Sequence, residues 1–318
     1  MLSHEERLLI GLQALERLRP RLKARQATLD RRADLPLPND PEAHTSPAVA
    51  PTRTEATASL DAPARLTEVI AATPPLAPNT LIFGLCEDQL PFLLDLTNPA
   101  PGALLVIADS ETGNRRFLDS VLHSVGLLNT SEQVAFYILA PRPESFGAVR
   151  DLPNCQATLP VTSADASGLI DTLERLSDLR KRSAVPGPTQ VLIIHDLAAC
   201  LEALDEQTFA QLYRLVKHGP RARVWIIASL TSDQAVRVDE RLLWAFRTRL
   251  LGRISDGELV DWIAGQPACP AASLEDDRLY CAPFGDAWLR FWVCEAEDDQ
   301  NFDDAAGAEN ESGNVVVR

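Results

Sequence analysis

Five short runs of consecutive apolar residues punctuate the chain: Leu81–Phe83, Leu104–Ile107, Val134–Leu139, Val191–Ile194 and Val224–Ala228. Continuous apolar runs belong to strands covered on both faces, the condition of a parallel sheet, whereas a half-solvated strand alternates. Helical periodicity fills the intervals near 114–128, 164–182, 202–218 and 238–247. This βαβ succession predicts a doubly wound α/β domain with right-handed crossovers, over residues 65–294. Its ligand side is expected at the carboxyl ends of the strands.

Three flanking segments have a different texture. In 1–32 the residues Leu8, Leu9, Leu12, Leu15, Leu18 and Leu22 recur at helical spacing among Arg17, Arg19, Arg21, Lys23 and Arg25, which predicts an amphipathic basic helix. It either packs on the main domain or docks a partner. Residues 33–64 carry Pro36, Pro38, Pro41, Pro47, Pro51 and Pro63 without apolar periodicity and read as a flexible linker. From Glu295 to Arg318 acidic residues dominate, the composition of a disordered tail serving solubility or a basic partner.

Charge and cysteine content exclude several function classes. Thirty Lys and Arg against 45 Asp and Glu give a formal net charge of -15, which repels nucleic acid and anionic lipid unless the cations cluster. DNA contact is therefore expected to be weak or indirect. No run of about twenty apolar residues and no basic-plus-apolar leader is visible, so neither membrane insertion nor export is expected, and a cytoplasmic location is. The six cysteines contain no C-x-x-C pair, which predicts reduced thiols and no metal site.

The run Ala108-Asp109-Ser110-Glu111-Thr112-Gly113-Asn114-Arg115 follows the Leu104–Ile107 strand and opens a helix. Strand, loop and helix N-terminus is the geometry in which backbone N–H groups and the helix dipole hold a phosphate. A working G-x-x-x-x-G-K-[S/T] loop also needs a Lys for the phosphates and a hydroxyl for Mg²⁺. Here Ala108 stands at the first Gly, Gly113 is kept, Asn114 replaces the Lys and Arg115 the Ser/Thr.

With these residues the sequence resembles the FtsK/SpoIIIE family of P-loop DNA-translocase ATPases, including the FtsK-like modules of type VII secretion and, more distantly, HerA. The resemblance runs from about Leu81 to Val293. Pro91–Leu96 is similar to the strand that precedes the loop, and Phe136–Arg142 to the strand ending in "DPK", with Ala140 at its Asp. Val191–Asp196 looks like the Walker B strand, with His195 at the Mg²⁺-organising Asp and Asp196 at the water-activating Glu. Arg221–Leu230 looks like the sensor strand, with Leu230 at the Gln, and Phe246-Arg247-Thr248-Arg249 resembles "NFPTRI". The resemblance implies a RecA-like P-loop fold with a mainly parallel sheet, and it implies ring-type assembly.

The chemistry is where the sequence departs from the family. Polar groups are replaced at five functional positions while the apolar framework around each is kept, so no catalytic residue is expected and residues 108–115, His195 and Asp196 read as a vestigial nucleotide site. Arg115 and Arg116 are expected in a solvated first helical turn, and His195 with Asp196 as a hydrogen-bonded strand-end pair. The five tryptophans are expected as core or interface anchors. Arg237, Arg241, Arg247, Arg249 and Arg253 read as an interface set, with Arg249 reaching a neighbouring subunit as an arginine finger. Three functions follow: a pseudo-ATPase serving as binding or assembly subunit, as homo- or hetero-oligomer with an active FtsK/HerA-type ATPase; an ATP- and Mg²⁺-dependent, DNA-binding translocase with a deviant loop; or a bystander domain whose work is done by its flanks.

Overall fold

The computed structural model describes residues 64–183 and 185–296. The expected N-terminal helix, the linker up to residue 63 and the tail beyond Ala296 lie outside the described residues. Within them the chain runs α1 (Leu66–Ala72), β1 (Thr80–Cys86), β2 (Pro91–Asp95), β3 (Leu104–Ala108) and α2 (Glu111–Leu128). There follow β4 (Val134–Ala140), α3 (Gly147–Arg150), β5 (Cys155–Pro160), α4 (Ala164–Arg182), β6 (Thr189–Ile194), α5 (Leu197–Ala203) and α6 (Glu206–His218). The last elements are β7 (Val224–Thr231), α7 (Ser232–Ala235), α8 (Glu240–Leu243), β8 (Thr248–Leu251), α9 (Gly257–Ala264), β9 (Leu279–Phe284) and β10 (Ala287–Trp292).

All ten strands form one sheet in the order β2-β1-β10-β9-β8-β3-β7-β6-β4-β5. From β8 to β5 neighbouring strands are parallel, and from β2 to β9 they are antiparallel. The two halves meet at β8 and β9, which pair antiparallel at the single position Leu251↔Cys281. The apolar runs behave as strands covered on both faces. Leu104, Val106 and Ala108 of β3 pack against Phe117, Leu118, Val121 and Val125 of α2, and the alternate residues Leu105 and Ile107 belong to the opposite core with Ile170 and Leu173 of α4 and Leu212, Leu215 and Val216 of α6.

Three expectations need correction. The interval 238–247 holds only the one-turn α8, because the sequence bends after Trp244 and enters β8 at Thr248. The antiparallel half lies outside the doubly wound pattern read from the apolar runs. Glu295 belongs to the domain: its N–H donates to the Ala64 carbonyl, its own carbonyl accepts from the Leu66 N–H, and its carboxylate pairs with Arg278. Among the described residues no helix is long and apolar enough to cross a membrane.

Candidate functional site

The carboxyl ends of β3, β6 and β7 come together as the sequence order predicts, with β7 lying between the other two. The β3–α2 turn brings Asp109, Glu111 and Asn114, the end of β6 brings His195 and Asp196, and β7 with the turn after it brings Ser229, Thr231 and Gln234. Register fixes this meeting, since Ala108 pairs with Thr231 and Ile194 with Ala228.

The loop itself is closed. Only Asp109 and Ser110 separate β3 from α2, so Glu111, Thr112 and Gly113 are already helical. Ser110 is the N-cap: its Oγ accepts from the Gly113 N–H at 2.9 Å, and its carbonyl accepts from the Asn114 N–H at 3.1 Å. The Asp109 N–H donates to the Arg253 carbonyl at 2.9 Å. Donors that a phosphate loop turns toward its ligand are thus committed inside the fold. A Cβ on Gly113 would sit 3.0 Å from the Asp277 carbonyl oxygen, so a protein contact accounts for the one glycine the motif keeps.

The charge at this helix start is negative. Asp109 accepts from Ser232 Oγ, and at 2.7 Å from both the N–H and the hydroxyl of Ser255. Partial burial pushes its pKa up, but those hydrogen bonds and nearby Arg253 outweigh it and hold the carboxylate below its ordinary range. Glu111 Oε1 lies 3.7 Å from His195 Nε2 and 3.5 Å from Arg142 Nη2. The His195 contact, helped by Arg142, holds this carboxyl low as well. Two carboxylates and a capping serine already complement the positive end of the α2 dipole.

Asn114, at the lysine position, is buried and turned into the sheet. Its amide donates to the Leu230 carbonyl at 2.7 Å, and its oxygen faces the buried Tyr280 hydroxyl at 3.5 Å. Arg115 corrects the expectation of a solvated first turn. It is buried, its Nε donates to Asp119 at 2.8 Å, its guanidinium stacks 3.9 Å over the Phe146 ring, and it also reaches the Ser145 carbonyl. The early helix start puts it in the second turn, facing the segment after β4. Arg116 is half-buried.

At the end of β6, His195 Nδ1 lies 3.0 Å from Ser229 Oγ, and Phe146 meets its ring edge-on. Asp196 takes a left-handed backbone, φ 64°, and caps α5 by accepting from the Ala199 N–H at 2.9 Å. Its other oxygen accepts from Gln234 Nε2 at 3.2 Å. The strand-end pair is thus hydrogen-bonded on both members. The free space among Glu111, Asn114, His195 and Gln234 is about 10 Å³, close to the minimum for one water. Sequence reading missed Ser229 and Gln234. The signal for Gln234 was present: Thr231-x-x-Gln234 has the capping-box pattern, and Gln234 Oε1 accepts from the Thr231 N–H at 3.0 Å. Among the described residues no group of three His, Cys, Asp or Glu side chains is placed to hold a metal ion.

The predicted interface set does not form one patch. Arg253 lies beside Asp109, Arg247 lies over Gly102 at the opposite end of β8, and Arg237 and Arg241 are exposed. Arg249 is the residue expected to reach a neighbouring subunit. It folds back onto its own domain, donates to the Ile263 carbonyl at 2.7 Å and lies 4.0 Å over the Trp244 ring. Burial pulls its pKa down to about 10. Leu242, Leu243, Phe246 and Leu250 are core. Trp225 is fully buried, whereas Trp244 and Trp262 are 42% and 36% exposed, which leaves those two as the interface candidates.

No family model and no curated protein matches the chain in sequence. Solved structures do match in fold. The cytoplasmic domain of the type VII secretion ATPase EccC from Thermomonospora curvata aligns at TM-score 0.57 and 16% identity, over 74% of this chain and 32% of that one. ATPases 2 and 3 of EssC from Geobacillus thermodenitrificans align at TM-score 0.60 and 13% identity, over 78% and 50%. The pCW3 conjugation coupling protein TcpA aligns at TM-score 0.57 and 13% identity, over 73% and 71%. The chain thus spans a third to a half of the first two. Identities this low speak to fold: the chain has the RecA-like P-loop fold of FtsK/SpoIIIE-type ATPase domains.

Proposed function

We propose that the domain is a pseudo-ATPase of the FtsK/HerA type that neither binds nor hydrolyses Mg·ATP and serves as a binding or assembly subunit. One observation carries this reading: the Gly113 and Asn114 N–H groups, which should cradle phosphate, are both taken by Ser110. The side chains agree. Mg·ATP needs a cation for the phosphates and a hydroxyl for the metal. Asn114 is tied to Leu230, Arg115 is packed on Phe146, and the nearest carboxylates, Asp109 and Glu111, repel a polyphosphate. This donor set does not fit Mg·ATP.

The assembly half of the proposal rests on Trp244 and Trp262. Large exposed aromatics of this kind anchor protein interfaces. A second subunit of the same fold, with an intact loop, is the partner we favour, in a translocation or secretion assembly. The test has two arms. Thermal stability should not respond to millimolar Mg·ATP, and phosphate release should stay at background with or without DNA. Light scattering of the chain with a co-purified ATPase should show a complex that Trp244→Ser weakens. Stabilisation by Mg·ATP together with DNA-stimulated turnover would establish the deviant-loop translocase instead.

A further inference from the structure

Two of the six cysteines face each other, although neither their spacing nor any C-x-x-C motif marks them. Cys269 Sγ lies 3.9 Å from Cys281 Sγ. Cys269 is half-buried at the start of the 3₁₀ turn Pro270–Ser273, after Ala268 in a left-handed conformation, φ 58°. Cys281 is buried in β9 at the one position where β9 pairs with β8. Cys269 is therefore only partly covered, whereas Cys281 is fully buried in β9.

We propose that Cys269 and Cys281 form an oxidisable dithiol, in which Cys269 reacts with a peroxide and Cys281 resolves the product to a disulfide. The Cys269 thiolate attacks the peroxide O–O bond, leaving a sulfenic acid on Cys269 and releasing hydroxide or alkoxide. The Cys281 sulfur then displaces that hydroxyl; the S–S bond forms, and the Cys281 proton leaves with the hydroxyl as water. Two thiols lose two electrons in all, and the peroxide accepts them.

The surroundings support this division of roles. Cys269 Sγ and Cys281 Sγ lie in contact, and either thiol can donate to the other. The contact with Cys281 holds the Cys269 thiol below its ordinary pKa, against the opposing effects of burial and Asp261. On Cys281 the same contact, together with burial, favours the thiol, against a weaker pull from Arg290. Burial raises every other shifted thiol, including Cys155, the other half-buried one.

Oxidation would also reach the candidate site. The segment between the two cysteines carries Ala271, whose carbonyl holds Ile254, and Asp277, whose carbonyl faces Gly113 at the start of α2. A Cys269–Cys281 bridge closes that segment into a ring on the seam between the parallel and antiparallel halves.

The full-length chain, reduced and then exposed to hydrogen peroxide, provides the test. The expected result is loss of two alkylatable thiols, a Cys269–Cys281 crosslinked peptide under non-reducing digestion, recovery of both thiols with a dithiol reductant, and a reversible rise in the unfolding midpoint. Cys269→Ser should abolish the crosslink and leave Cys281 alkylatable after denaturation. Oxidation of Cys155 before Cys269, arrest of Cys269 at the sulfinic acid with Cys281 still free, or full retention of both thiols would overturn the proposal. None of these outcomes depends on whether the domain binds nucleotide.

Discussion

The Asn114 side-chain amide donates to the Leu230 carbonyl at 2.7 Å, so the residue at the lysine position of the loop is bonded to the residue at the sensor position. In a working site those two positions both face the nucleotide. Here they close on each other, with Tyr280 behind them. Restoring the lysine should therefore damage the fold without recovering a site. Asn114→Lys buries a cation among Leu230, Tyr280 and β7, and a loss of about 3–5 kcal/mol is expected. Asn114→Ala, which leaves the Leu230 carbonyl and the Tyr280 hydroxyl without Asn114, should cost about 1–3 kcal/mol. Denaturant midpoints at constant slope check the order. An Asn114→Lys variant as stable as the parent and newly responsive to Mg·ATP would refute it.

Arg115 gives a second test of the same closure. A side chain in a solvated turn changes stability by less than about 0.5 kcal/mol when truncated. A buried guanidinium paired with Asp119 and stacked on Phe146 should cost about 3–5 kcal/mol instead. Arg115→Ser, the change that would supply a Mg²⁺-binding hydroxyl, is expected to be strongly destabilising. Arg115→Ala and Asp119→Ala, singly and together, should give a non-zero coupling energy in a double-mutant cycle. Strict additivity would show that the pair is not coupled.

The apolar runs foretold β3, β4, β6 and β7 because those strands are covered on both faces and carry no alternation to misread. β10 was opaque for the opposite reason: Ala287 and Arg290 are exposed and Phe291 is buried, a pattern with no single period. β8 is only four residues long, too short to stand out as an apolar run. At the site, sequence order brought the right strand ends together, but side-chain direction could not be read. Direction depends on where α2 begins, and Ser110 starts it three residues before Asn114. That one cap turns Asn114 and Arg115 from the loop into the core.

Acid should reveal the role of Asp109. Its folded-state pKa is below the ordinary 3.8, so its contribution to stability is fully present above 3.8 and is lost as the pH falls further, through the folded-state value. Asp109→Asn should flatten the fall in stability below 3.8 and, because the group is exposed and screened, change stability at neutral pH by less than about 1 kcal/mol. Ser255→Ala removes one of its donors and should shift the acid limb toward higher pH. Unfolding curves from pH 2.5 to 7 check both. An unchanged acid limb in Asp109→Asn would show that another carboxylate governs it.

Arg249 supplies the last prediction, and its energetics run against intuition. Burial pulls the pKa of this guanidinium down to about 10, which means that the folded state disfavours its charge, and its Nε has no hydrogen-bond partner among the described residues. The Ile263 carbonyl and the Trp244 ring offset only part of that cost. An apolar side chain of similar length should therefore serve as well: Arg249→Met is expected to stay within about 1 kcal/mol of the parent, or above it. Arg249→Ala leaves a gap under Trp244 and should cost about 1–3 kcal/mol, with a change in tryptophan fluorescence, since exposed Trp244 rests on that side chain. Gly265→Ala attacks the same stack from the other side, because its φ of 68° disfavours a Cβ that would also lie 2.8 Å from the Trp244 ring. It should shift the same fluorescence signal and destabilise by about 1 kcal/mol or more. A residue that reached out to a neighbouring subunit would give the reverse pattern, with both Arg249 variants as stable as the parent and association weakened equally by each.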